Sequence, residues 1–246
     1  MNAKEKKKEQ KTRSEDSDAG TADLIRELGL AASGTDFESD LQYISIIGSI
    51  EGHIALPMEN KTTKYEHLIP QLIAVEENPK LRGLLVILNT MGGDVEAGLA
   101  LAEMIATLSK PTVSLVLGGG HSIGIPLATA TDYSFIAGTA TMTLHPIRTT
   151  GLVITAETTF DYMRKTQDRV IDFIAGHSRA TKKRVTELMN CSDNMSNDVG
   201  TILFGKEAVD AGIIDAVGGV SQALGELRRR VAKVDELEKE IPTSKD

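Results

Sequence analysis

The chain has 246 residues, with 27 Lys and Arg against 35 Asp and Glu. A net charge of −8 argues against a nucleic-acid binder, whose footprint is basic, and a single cysteine, Cys191, excludes an intramolecular disulfide framework and suits a reducing compartment. No apolar run reaches the roughly 18 residues of a membrane span, and no apolar stretch backs the basic opening MNAKEKKKEQKTR as it would in a secretory signal. A cytoplasmic protein is the expectation.

Residues 1 to 40 read as a charged tail. Lys4, Lys6, Lys7, Lys8, Lys11 and Arg13 begin it, acidic residues follow, and apolar side chains are too sparse to build a core. From Tyr43 the texture changes, and Tyr43–Ile47 reads as a first strand. Residues 64 to 77 place Leu68, Ile69, Leu72 and Ile73 on one helical face, with Pro70 as a dissenting residue. Gly83–Leu88 is a continuous apolar run, the pattern of a parallel strand covered on both faces. A helix is expected from Asp94, ended by Pro111, then a buried strand over Thr112–Leu117 and a helix from near Ser122. Short strands follow at Tyr133–Ile136 and Thr141–Leu144, then a long helix over 156–175 with Phe160, Met163, Val170, Ile171 and Ile174 on one stripe. A helix over 181–190, the Ile213–Asp215 segment and a charged helix over 220–238 close the chain. Strands alternating with helices predict βαβ units and a mainly parallel sheet. The expected division is a tail at 1–40, a domain at 41–225 and a charged C-terminal helix or tail at 226–246.

Two glycine clusters carry the chemistry. Asn89-Thr90-Met91-Gly92-Gly93 is expected just after one buried strand, and Gly118-Gly119-Gly120-His121-Ser122-Ile123-Gly124 just after the next. Strand C-termini are where open α/β sheets bind ligands, and glycine lets backbone N–H groups approach closely. Ser122, at a strand-to-helix turn, is the candidate nucleophile. Of the five histidines, His145 is the preferred base, since it closes a strand and Pro146 turns the chain away. His121 adjoins Ser122, and adjacent side chains rarely face each other; His177 is explained by a helix C-terminus. Residues 120–124 also match the G-x-S-x-G elbow of α/β-hydrolases, but that fold places its histidine near the chain end, whereas 69 residues follow His177.

The segment from Tyr43 to Gly219 resembles the proteolytic subunit of the Clp protease, ClpP, through four motifs in order. These are Asn89–Gly93, His121-Ser122-Ile123-Gly124, Met142-Thr143-Leu144-His145-Pro146, and Glu207-Ala208 leading to Gly212-Ile213-Ile214-Asp215. It is most like a divergent branch of that family associated with preprotein export. The resemblance implies an α/β fold of the ClpP/crotonase type, with repeated ββα and βαβ units, a mainly parallel sheet and a long handle-type helix. It implies a serine peptidase cleaving peptides or small unfolded proteins inside a homo-oligomeric, heptamer-based ring. Ser122 would be nucleophile and His145 general base. Asp198, preferred over Asp193, would be the third member, since the family position itself falls near Gly200, which has no carboxylate. The N–H groups of Gly93 and Ile123 would form the oxyanion hole.

No cofactor is expected, and no His, Cys and Asp set has metal-ligand spacing. Residues 1–40 stand where the family has short axial loops, which leaves an ATPase unfoldase partner open. Arg148-Thr149-Thr150-Gly151 replaces the glycine-rich start of the family's handle strand, which leaves ring stacking open. Two other readings compete: a non-catalytic ring or scaffold assisting preprotein translocation, and a crotonase-like acyl-CoA enzyme, which would not require Ser122 and His145 together.

Overall fold

The computed structural model describes residues 39–148, 155–192 and 199–240. The first strand is β1 (Leu41–Glu51), followed by β2 (Thr62–Lys64), α1 (Tyr65–Glu77), β3 (Gly83–Gly93) and α2 (Val95–Ala106). Next come β4 (Thr112–Gly120), α3 (Gly124–Thr129), β5 (Tyr133–Ile136), β6 (Thr141–Leu144), α4 (Ala156–Gly176) and α5 (Lys182–Met189). The described chain closes with β7 (Thr201–Phe204), α6 (Gly205–Asp210), β8 (Ala216–Val217) and α7 (Val220–Glu240).

The sheet order is β2-β1-β3-β4-β5-β8, with every neighbour parallel. Strand β6 pairs with the end of β4, and the antiparallel β6–β7 pair extends it. This is the mixed α/β, mainly parallel architecture expected of a ClpP/crotonase-type fold. Both faces are covered, which is why β3 reads as unbroken apolar sequence. On one face, Ile44, Ile46, Val86, Leu88 and Val116 pack with helix residues such as Leu72, Leu101, Ile105 and Ile125. On the other, Leu85, Val113, Leu115 and Phe135 meet Ala223 and Leu227 of α7. Helix α7 runs without a break through residue 225, and Val231 is still buried. The expected boundary at 225/226 thus falls inside one helix docked on the sheet.

Local sequence explains most of the ends. Asp94 caps α2, its Oδ1 accepting from Ala97 N at 2.8 Å. Thr181 caps α5 through Arg184 N. His177 closes α4 and stacks on Phe173, as a helix C-terminus would explain. Two expectations are corrected. Pro70 lies inside α1, where Gln71 Nε2 donates to the His67 carbonyl at 2.9 Å. Pro111 does not end α2, which stops at Ala106; the Thr107 hydroxyl donates to the Glu103 carbonyl there. Strands β2 and β7 and helix α6 were not expected. Each is only 3 to 6 residues long, too short for periodicity to register.

Helix α4 is amphipathic in its second half only. Val170, Ile171 and Ile174 are buried, while Phe160 and Tyr162 are exposed.

Candidate active site

The glycine clusters do not follow their strands; they lie within them. β3 extends through Gly93 and β4 through Gly120. The reason is a set of register slips. Between Leu88 and Thr90, β3 advances two residues while β4 advances from Val116 to Gly120, so Leu117, Gly118 and Gly119 loop out opposite Asn89. Asn89 Oδ1 takes up the strain by accepting from Gly119 N at 2.9 Å. The slip lets β4 leave β5, paired up to Val116–Ile136, and join β6 at Gly119–Thr141. A second slip, between β1 and β3, leaves Met91 unpaired and exposed between Thr90 and Gly92.

These slips converge on Ser122. Its φ is +54°, the only left-handed backbone among described residues other than glycine. Such a conformation persists only where its surroundings over-determine it. Here they do. Ser122 N donates to the Thr143 carbonyl at 2.8 Å, and its own carbonyl accepts from Ile125 N at 3.0 Å. On either side, His121 N donates to Thr90 O at 3.1 Å and Gly124 N to His121 O at 2.8 Å. In the run 121–125 only the Ile123 N–H has no acceptor among the described residues.

Thr90 ties this turn to the sheet. Its buried hydroxyl donates to Gly48 O at 2.6 Å and accepts from Gly92 N at 3.0 Å. Gly92, at φ +93°, lies directly against the turn: an added Cβ would stand 2.7 Å from Ser122 Cβ and 2.9 Å from the His121 carbonyl. Gly93, at φ +150°, is wedged onto Ile50 of β1. Gly92 therefore brings β3 backbone against Ser122 and Ile123, and Gly93 brings it against β1, at positions where no side chain would fit.

His145 follows β6 immediately. Its Nδ1 lies 2.7 Å from the Pro146 carbonyl. A carbonyl only accepts, so Nδ1 carries a proton, and in the neutral ring this leaves Nε2 the lone pair that a general base needs. Thr143 is bonded to Ser122, so the base candidate stands two residues beyond the nucleophile candidate's main-chain partner, just past the end of β6. Gly200, which starts the approach to β7, closes over this residue at φ +143°. An added Cβ there would collide with the Leu144 carbonyl oxygen and come within 3.0 Å of His145 Cβ. Asp198 and Asp193 lie outside the described residues.

His121 is not the bystander that adjacency to Ser122 implied. Its Nδ1 lies 2.9 Å from Thr143 Oγ1. Burial pushes its imidazole below the usual histidine range, and the nearby His145 pushes the same way. The late motif proves structural. Glu207 accepts from Phe204 N at 3.0 Å and caps α6. Asp215 Oδ2 accepts from both Ser134 N and Ser134 Oγ at 2.9 Å, fastening the segment before β8 to β5. Thr90 and Thr143 are the residues whose roles sequence reasoning missed. Both stand inside the motifs named above, each a hydroxyl residue within two positions of a candidate functional residue, Gly92 or His145. Among the described residues no cluster of His, Cys, Asp and Glu could hold a metal ion, and no helix is long and apolar enough to cross a membrane.

A family model described as Clp protease matches residues 39–221. The translocation-enhancing protein TepA of Halalkalibacterium halodurans is 54% identical over 215 residues, covering 87% of this chain and 84% of that protein.

Proposed function

The chain belongs to the Clp protease family, and from that premise we propose that it is a serine endopeptidase of the TepA type. Its substrates would be peptides or small unfolded proteins, hydrolysed inside a homo-oligomeric, heptamer-based ring, in a role linked to protein export. The single observation that carries this reading is the Ser122 turn. A serine held left-handed, flanked by an unpaired Ile123 N–H, is hydrogen-bonded to the strand that delivers His145.

In this mechanism His145 Nε2 takes the Ser122 proton as Oγ attacks the peptide carbonyl, then returns it to the leaving amine. The tetrahedral intermediate concentrates negative charge on one oxygen, which the Ile123 and Gly93 N–H groups would stabilise. Losing one such donor typically costs about 2.7–4 kcal/mol of transition-state stabilisation. Asp198, two residues before the Gly200 that lies against His145, would complete the triad, with Asp193 as the alternative. Its carboxylate would take over the Nδ1 proton that the Pro146 carbonyl now accepts and would stabilise the imidazolium. No cofactor takes part.

The test is labelling of the assembled protein with a fluorophosphonate probe. Wild type should label and Ser122→Ala should not; an unlabelled wild type would overturn the peptidase reading. A second reading, a non-catalytic ring or scaffold assisting preprotein translocation, is favoured by the relative's being a translocation-enhancing protein, a name that speaks of translocation and not of proteolysis. It predicts that Ser122→Ala retains full function in a secretion assay.

A further inference from the structure

We propose that His121 is a positioning residue, which locks the Ser122 turn to β6 by holding Thr143 and so keeps Ser122 and His145 in one frame. The inference rests on the peptidase reading of the same site.

Thr143 is held at two atoms by two consecutive residues. Its carbonyl accepts from Ser122 N at 2.8 Å, and its hydroxyl meets His121 Nδ1 at 2.9 Å. His121 is bound in the other direction as well, its own N–H donating to Thr90 O on β3 at 3.1 Å. It therefore joins the strand carrying Gly92 and Gly93 to the strand leading into His145. The registered ladder between β4 and β6 is minimal, a single pair at Gly119–Thr141, and beyond it the Ser122 main-chain bond and the His121 side-chain contact both fall on Thr143. The ring fits because β4 carries no side chain beneath it: an added Cβ on Gly119 would lie 2.6 Å from His121 Nε2 and 2.7 Å from Cδ2. A larger residue at 119 would evict the imidazole from Thr143.

Position on the strand explains why this tie bears on the reaction. His145 follows Thr143 by two residues, directly after the end of β6. A displacement of Thr143 moves His145 relative to Ser122, and misplacement on the order of 1 Å can cost ~10²-fold. His121 acts through Thr143, which its Nδ1 meets, while its Nε2 edge lies against Gly119. Burial keeps its ring neutral to lower pH than usual, so it adds no second positive charge beside His145 when that ring takes a proton.

The experiment measures fluorophosphonate labelling kinetics on the full-length assembled chain. His121→Ala and Thr143→Val should each lower the maximal labelling rate about tenfold, the scale of one net hydrogen bond, with half-saturating probe concentration unchanged. The double variant should be no slower than the slower single, and Thr143→Ser, which keeps the hydroxyl, should restore the rate. Wild-type rates in both single variants, multiplying effects in the double variant, or a Thr143→Ser protein as slow as Thr143→Val would each overturn the lock. If wild type itself does not label, the peptidase reading falls and the lock is judged on urea-unfolding midpoints of the same variants. Non-additive losses there support it, and additive ones refute it.

Discussion

The two halves of the site are held by different means. The Ser122 side is fixed by main-chain hydrogen bonds in both directions, to β3 through Thr90 and to β6 through Thr143. Among the described residues the His145 ring has one hydrogen bond, to the carbonyl of its own neighbour Pro146, and Gly200 lies against its Cβ. A nucleophile and its oxyanion donors need a fixed backbone, because the donors are backbone groups. A base needs a ring free to pass a proton from Ser122 to the leaving amine. On the proposed roles the contrast matches that division, a turn held from two strands and an imidazole held at one nitrogen among the described residues.

The sharpest way to break the rigid half is Gly92→Ala. A methyl at φ +93° and 2.7 Å from Ser122 Cβ must displace the turn. Fluorophosphonate labelling should fall by ~10²–10³, the scale of losing an oxyanion donor. Thr90→Val attacks the same half at its anchor, removing the hydroxyl bonds to Gly48 and Gly92. With a carbonyl and an N–H left unpaired inside the protein, unfolding in urea should show a loss of about 2–4 kcal/mol. Gly200→Ala tests the looser half. Its methyl would meet the Leu144 carbonyl at φ +143°, costing about 1–3 kcal/mol of stability. Labelling should slow less than in Gly92→Ala, because the ring can readjust where the turn cannot. An equal or larger loss would erase the contrast.

The smallest effect is pH-dependent. His121 has its imidazole lowered by burial and then by His145. The unfolded chain therefore takes up a proton near the ordinary value of about 6.5 while the folded chain does not. Stability should fall as pH drops from there toward the lowered folded value, and His121→Gln should flatten that limb in urea midpoints taken between pH 7 and 5. Glu96, lowered mainly by its Arg169 hydrogen bond, and Glu226, lowered mainly by Arg229, act in a separate window. Their contributions are present above the ordinary carboxylate range and disappear only as pH falls below it. A limb unchanged in His121→Gln would remove His121 from the account.

Much of this was legible in the chain. The apolar run Gly83–Leu88 announced a strand covered on both faces, and Asp94 announced a helix start, because each signal is local. The order of four motifs placed the chain in its family. The glycine clusters, expected just after their strands, lie within them, because pairing continues through the glycines with bulges absorbing the extra residues. Bulges depend on the partner strand, and a single sequence does not display its partners. His121 was set aside for the same reason: adjacency argues against contact with Ser122 but is silent about Thr143, 22 residues on.

By itself, then, the sequence determined the alternation of strands and helices, the family, and the residue types available for chemistry, since periodicity and motif order are carried along the chain. Only the tertiary structure decided that β4 changes partners at its glycines and that Ser122 adopts φ +54°. It also decided that Thr90 and Thr143 tie the turn down. Each of these is a hydrogen bond or a close contact between segments distant in sequence, and such contacts exist only once the sheet has set its register.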